Sequence, residues 1–392
     1  MSESVIAVTG LGAVTALGIG VDVLWAGLLE GRRPFGPVRA FDIGDCKVNL
    51  AAEVQQQLPS ACSSRTANLG VAAAREALKE SALLPARSRI GLVVASTGHG
   101  DRALEDALRG SAGAPLGWQS CLKSSLADEL AQVLELGPRR QVINTACSSG
   151  AIAIALACDG LRARDYDLVL AVGCDELTAL TYSGFNALRA LDPAACRPFD
   201  RNRRGMSIGE GAGCLVLERL DDARKQHKRI RGLIVGAGLA CDAHHLTAPD
   251  PEGKGAALSM QMALAQAKLP ASAMGFVNAH GTGTSLNDRA EIAGIERVFG
   301  GSARECVVHS VKASTGHCMG AAGTIEAVVA LLALENQRVP HTAGLENCEF
   351  DGRVDCVQSR PRAIAASYGI SNSFGFGGND ASLVLARAEV AE

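Results

Sequence analysis

The chain states one pattern twice. A short apolar run, QVI at 141–143, ends in a polar turn carrying Cys147, and the turn opens into AIAIALA at 151–157. Further on, ECVVHSVKAST at 305–315 leads through a turn carrying His317 into MGAAGTIEAVVALLAL at 319–334. Strand, turn and small-residue helix in the same order predict two similar α/β halves whose Ala- and Gly-rich central helices pack closely, with function where the halves meet. Strand-like runs at 5–12, 90–97, 168–176 and 212–220 and a helical stretch at 68–83 fill the first half. A basic run at 221–231 precedes a second series at 232–240, 275–282, 305–315 and 363–388. The expected halves are therefore 1–230 and 231–392.

Bulk properties narrow the function classes. A chain of 392 residues exceeds the usual single core, and 44 glycines with only 4% aromatic residues suit an α/β enzyme of tightly packed small side chains. A net charge of −3 gives no global basic surface for nucleic acid or membrane. The longest apolar segment, 319–334, contains Glu326 and is shorter than a membrane span, so it is expected as a buried helix. Thirteen scattered cysteines, an odd number with no Cys-x-x-Cys pair and no secretory leader before VIAVTGLG, point to a reducing cytoplasm. Two look-alikes are set aside. TGLGAVTALG (9–18) resembles a dinucleotide fingerprint but reads Gly-x-Gly-x-x-Thr, and its glycines are expected to serve a tight turn. His244 and His245 are adjacent and no Cys pair has zinc spacing, so no metal site is expected.

Three polar segments stand in otherwise small surroundings. Cys147 lies at a helix start, where unpaired N–H groups and the positive end of the macrodipole favour a thiolate. His280 ends a strand in NAHGTGTSLNDRAE (278–291), followed by a turn lined with hydroxyls. Lys312 and His317 lie five apart in VKASTGHCMGAAG (311–323). A single histidine of this kind is more often structural than catalytic. One cysteine and two histidines on strand-to-helix turns of a duplicated fold point to an acyl-thioester site.

At these residues the sequence resembles the β-ketoacyl synthases of the thiolase superfamily, in their acyl-carrier-protein-dependent elongating branch. The resemblance runs from VIAVTGLGAVTALG through PVRAFD, TACSSG, RPFDRNRRGMSIGEGAG, DAHHLTAPDPEGKGAALSM, NAHGTGTSLNDRAE and VKASTGHCMGAAG to NSFGFGGND. It implies a thiolase-like five-layer αβαβα fold of two duplicated halves, the first carrying the nucleophile and the second the histidines. By position, Cys147 matches the acylated nucleophile, and His280 and His317 match the pair that holds the malonyl thioester carbonyl and promotes decarboxylation. Losing CO2 leaves an enolate, and two imidazole N–H donors at its oxygen lower that barrier. The carbanion then attacks the Cys147 thioester to give a β-keto product two carbons longer. The resemblance also implies an oxyanion hole from the N–H groups of Cys147 and Phe376. Lys312 and Glu291 match a pair supporting the histidines by electrostatics and hydrogen bonding. Thr282, Thr284 and Thr247 match the phosphopantetheine entrance, and Phe374 and Phe376 in SFGFGG match a gating loop that glycines allow to move.

Further expectations follow from the resemblance. No cofactor is needed beyond the phosphopantetheine arm of an acyl carrier protein, which brings both the acyl and the malonyl group. Carriers in this family are acidic, so docking is expected on Arg201, Arg203 and Arg204. The assembly is expected to be a homodimer, or a heterodimer with a chain-length-factor-like subunit. Wording departs from the family at three places: TACSSG and HGTGT are closer to polyketide-type enzymes, GGND replaces Gly-Gly-Thr-Asn, and Arg204 stands where an acidic or amide residue is common. The stretch between 97 and Cys147, which in relatives walls the acyl pocket, is compact. Primary fatty-acid and dedicated polyene or polyketide roles both stay open. A thiolase would need a second catalytic cysteine, for which Cys318 is the nearest candidate. An initiating synthase pairs one histidine with an asparagine, and a chain-length factor lacks the nucleophile. A redox sensor has only the thiol count behind it.

Overall fold

The computed structural model describes residues 5–81, 89–110 and 118–391. The end of the helix expected at 68–83 and part of the compact stretch before Cys147 lie outside the described residues.

Each half is built on five strands. The first has β1 (Ile6–Thr15), β2 (Ile90–Ala95), β3 (Arg140–Ile143), β4 (Leu168–Asp175) and β5 (Gly211–Arg219). The second has β6 (Gly232–Cys241), β7 (Met274–Asn278), β8 (Val307–His309), β9 (Tyr368–Gly375) and β10 (Asn379–Ala386). Across the sheet the order is β3-β2-β4-β5-β1 in the first half and β8-β7-β9-β10-β6 in the second. The pairing sense also repeats: the first three positions pair parallel and the last two antiparallel. The two first strands meet antiparallel, with Ile6 opposite Ile234 and Val8 opposite Gly232, and join the halves at their edges.

Helices fill three further layers. α1 (Arg65–Glu80) and α2 (Ser125–Val133) cover the outer face of the first half, α4 (Lys254–Ala267) and α5 (Ser285–Phe299) that of the second. Between the sheets run α3 (Ser149–Arg162) and α6 (Ala322–Asn336). The fold is thiolase-like, αβαβα. Its strands are apolar on both faces because both are covered: in β4, Val169 and Ala171 face the central helices while Leu168, Leu170 and Val172 face α1 and α2. The central helices touch at glycine. A Cβ on Gly150 would stand 2.7 Å from the Thr324 nitrogen, and one on Gly323 would stand 2.5 Å from the Ala151 nitrogen. The segment Met319–Asn336 is long and apolar enough to cross a membrane by composition, but 89% of it is buried within the protein.

Two expectations need correction. Gly18 does close a tight turn, opposite Thr15 with a φ of 145°, but Gly10 and Gly12 lie inside β1, where a Cβ would meet the Ala77 and Ala73 carbonyl oxygens of α1 at 2.1 and 1.9 Å. Strand and helix approach so closely there that only glycine fits. The strand expected over 305–315 is only Val307–His309, because the chain turns into a helical turn at Lys312–Thr315 that carries Lys312 behind the site.

Candidate active site

The loops after β3, β7 and β8, the turn between β9 and β10, and the segment after β6 converge on one cavity of about 360 Å³. Cys147, His280, His317, Thr247, Thr282, Thr284, Phe374 and Phe376 all line it. Lys312 and Glu291 stand behind the wall. Cys147 follows Ala146, which takes a left-handed φ of 54°. Two serines hold that turn: Ser149 Oγ accepts from the Thr145 N–H at 2.8 Å, and Ser148 Oγ donates to the Thr145 carbonyl at 2.8 Å. The tight β9 end fits beside it because residue 375 is glycine; a Cβ would stand 3.0 Å from the Thr145 oxygen and 3.1 Å from the Cys147 nitrogen. That approach brings the Phe376 N–H onto the Cys147 sulfur.

Helix α3 begins two residues after Cys147, and the helix end does not by itself make a thiolate. Burial pushes the thiol up to about 12, against the opposing pull of Lys312 and the Phe376 N–H. Burial therefore outweighs the helix start and favours the thiol form of Cys147.

Both histidines are neutral. Burial and the nearby Lys312 charge hold them well below the usual imidazole range, and His280 is lowered further by His317. Their rings meet edge to face at 5.2 Å, and the Phe374 ring lies 5.9 Å from His280. Lys312 spends its three N–H groups on three acceptors: Glu326, the His280 carbonyl at 2.6 Å, and His280 Nδ1 at 3.2 Å. An ammonium can only donate, so His280 Nδ1 accepts and the ring proton sits on Nε2. His317 is held by its backbone, whose N–H donates to Ser207 and whose carbonyl accepts from Gly209.

Lys312 and Glu291 both hold His280, though not as partners of each other. Lys312 pairs with Glu326 on α6, while Glu291 on α5 accepts from the backbone N–H groups of His280 and Gly281 at 2.9 and 2.8 Å and from Asn372 at 3.2 Å. Burial pushes both Glu326 and Glu291 up to about 7. Glu326 was visible in sequence only as a charge in an apolar helix, which is itself a signal. Asp288 was not singled out either. It accepts from the Gly283 and Phe199 N–H groups and pairs with Arg203 at 3.3 Å, fixing the loop after β7. Thr284 does double service: its hydroxyl contacts that of Thr282 at 2.9 Å and caps α5 by accepting from Asn287.

The arginine cluster divides. Arg201 and Arg204 are exposed, and Arg204 lines the cavity mouth. Arg203 is buried, its side chain 2% exposed, and is spent on Asp288 and Glu349. It cannot meet a docking partner. Cys318, the second cysteine a thiolase would need, is buried, does not line the cavity and is pushed well above the usual thiol range by burial. Among the described residues no group of three or more His, Cys, Asp or Glu side chains could hold a metal.

Sequence and structure comparisons agree with this geometry. The β-ketoacyl synthase N-terminal domain matches residues 3–223 and its C-terminal domain residues 231–346. The chain is 33% identical to a 3-oxoacyl-[acyl-carrier-protein] synthase 2 from Synechocystis, over 97% of each protein. Among solved structures it is similar to the ishigamide ketosynthase/chain length factor (TM-score 0.91, 31% identity, covering 98% of this chain and 100% of that one). It is also similar to the AntDE:AntF complex, a type II polyketide acyl-carrier protein with its ketosynthase bound to the hexaketide (TM-score 0.89, 26% identity, 99% and 100% covered). A cysteine and two neutral histidines on one cavity of a duplicated αβαβα fold thus have a family: the chain belongs to the β-ketoacyl synthases, acyltransferases that form a carbon–carbon bond.

Proposed function

We propose that Cys147 takes an acyl chain from an acyl carrier protein and that His280 and His317 decarboxylate the malonyl group that extends it. In the first half-reaction the Cys147 sulfur attacks the acyl thioester carbonyl, the carrier thiol leaves, and the Cys147 proton passes toward it. His280 presents only its Nε2–H to the cavity, so His317, whose ring is not held by Lys312, is the base available for that proton. In the second, the malonyl carrier loses CO2, and the enolate oxygen takes N–H bonds from the two histidines. The enolate carbon attacks the Cys147 thioester, the Cys147 sulfur leaves as a thiolate and takes a proton from solvent, and the β-keto chain stays on the carrier. The observation that carries this reading is the Lys312 to His280 Nδ1 bond at 3.2 Å, because it fixes His280 as a neutral Nε2–H donor. Removing one such donor costs on the order of 10²–10³ in rate. His317→Ala is expected to lower malonyl decarboxylation by about that factor while still allowing Cys147 acylation. Cys147→Ala is expected to keep some decarboxylation. Normal condensation by His317→Ala would remove the second histidine from the mechanism.

The Thr247, Thr282 and Thr284 hydroxyls at the cavity mouth suit the amides of a phosphopantetheine arm, and the reaction needs no other cofactor. Exposed Arg201 and Arg204 suit an acidic carrier. A second subunit of the same fold, a copy of this chain or a chain-length-factor-like partner, is supported by the β3 rim, which among the described residues pairs on one side only, and by Leu156 on the adjoining α3, which is 37% exposed. The ishigamide ketosynthase/chain length factor favours the heterodimeric reading, and with it a dedicated polyketide or polyene role over primary fatty-acid elongation. Thirteen unpaired cysteines suit a reducing cytoplasm.

A further inference from the structure

The GGND wording places an acid, Asp380, where the family's usual wording has an amide, and Asp380 lands opposite another acid. Asp380 is 4% exposed and is the cross-strand partner of Phe374, whose ring lies 5.9 Å from His280. Asp242, at the end of β6, lines the same cavity. The two carboxylates approach the same spot: a Cβ on Gly255 would stand 2.3 Å from an oxygen of each. Asp242 already accepts from the Gly255 N–H at 3.2 Å and the Asp250 N–H at 3.0 Å, which makes it the acceptor of the pair and Asp380 the donor.

The pair sits at the seam between two segments of the cavity wall. The Asp242 N–H donates to the Gly378 carbonyl at 2.9 Å, and the Gly377 N–H donates to the Leu246 carbonyl at 2.8 Å. We propose that Asp242 and Asp380 share one proton, and that this proton latches the 374–380 segment to the 242–250 segment that carries Thr247. When the proton is lost, two like charges face each other at the seam and the wall beside Phe374 loosens.

Among the described residues the surroundings supply no counter-charge to the pair. Glu291 on α5 adds a further acid. Lys254 at the start of α4 is 60% exposed and turned to Glu252 and Asp250. His245 directs Nδ1 to the Thr247 N–H of its own loop, and the neutral His280 is held by Lys312. Burial, the Asp242 charge and Glu291 together push the Asp380 carboxyl up to about 8. A carboxyl raised in the fold contributes stability at low pH that is lost as pH rises through the folded value, so the latch opens on the alkaline side.

The test compares wild type with Asp380→Asn, whose amide can still donate to Asp242 but cannot ionise. Condensation rates with acyl- and malonyl-carrier thioesters, and melting temperatures, are taken from pH 6 to 9.5. The latch predicts that the ratio of wild-type to variant rate falls roughly tenfold between pH 7 and 9, and that the wild type loses more melting temperature than the variant between pH 6 and 8, the difference levelling off above the folded value. Asp242→Asn, which also leaves a single carboxyl, is expected to shift both profiles, because Asp380 no longer faces a second charge, and serves if Asp380→Asn does not fold. Parallel profiles for wild type and both variants would overturn the latch. The proposal rests on the reading of the Phe374 segment as the cavity's movable wall, but the melting profile tests the shared proton whatever the chemistry on Cys147.

Discussion

At Lys312 a single side chain decides how the site works. Its pairing with Glu326 is buried on both sides, with side-chain exposures of 1% and 3%, and breaking such a pair from one side costs about 3–5 kcal/mol. Lys312→Ala is therefore expected to lower the melting temperature and to slow decarboxylation, since His280 loses the bond that fixes its tautomer. Rescue of stability without activity by Lys312→Met combined with Glu326→Leu, measured by thermal melting and CO2 release, would separate the two effects. Cys147, His280 and His317 were legible in sequence because nucleophile and imidazoles sit on short turns whose wording is specific. Glu326 was not assigned, because its partner lies 14 positions back in the chain and only the packing of α6 behind the histidines brings the two together. Glu291 drew attention instead by standing in the His280 motif, yet its work is on backbone N–H groups. The thiol form that burial favours at Cys147 was not legible for a physical reason: proximity to a helix start is readable locally, whereas desolvation depends on the whole cavity wall.

Among the elements, glycine sets the close approaches. Gly375 lets the end of β9 lie against the Cys147 turn, and a methyl group there must push the Thr145 oxygen or the Cys147 nitrogen by a few tenths of an ångström. Gly375→Ala is expected to displace the Phe376 N–H from Cys147 and to slow acylation more than malonyl decarboxylation, as measured by the separate half-reactions. Gly12→Ala is a stability change instead: its Cβ would stand 1.9 Å from the Ala73 oxygen, and overpacking of this kind costs about 1–3 kcal/mol or more. Most of the strands were legible as apolar runs, since both their faces are covered; the rim strand β3, exposed at Arg140 and Gln141, is the exception. Their antiparallel members were not, because β4 and β5 are separated by 35 residues of loop and helix whose path periodicity does not record.

For the whole molecule, the duplication readable in the two strand–turn–helix passages is carried through to the strand order of both halves, and it places the Cys147 turn and the histidine turns on one cavity. Surface charge was the least legible layer. Three arginines in one short run looked equivalent, yet the fold buries Arg203 against Asp288 and leaves Arg201 and Arg204 outside. Arg201→Glu and Arg204→Glu are expected to raise the carrier KM and to weaken the salt dependence of the rate, leaving kcat nearly unchanged. Arg203→Glu is expected to lower the melting temperature sharply through a buried like-charge contact. Equal effects of all three on KM alone would contradict this division.

In the proposed cycle Cys147 carries the growing chain between the two half-reactions. Intact-protein mass spectrometry after incubation with a panel of acyl-carrier-protein thioesters, with Cys147→Ala as control, tests it directly. An acyl adduct that needs Cys147 and that clears when malonyl carrier is added is the expected result. An adduct that persists in Cys147→Ala, or one that malonyl carrier does not discharge, would contradict it.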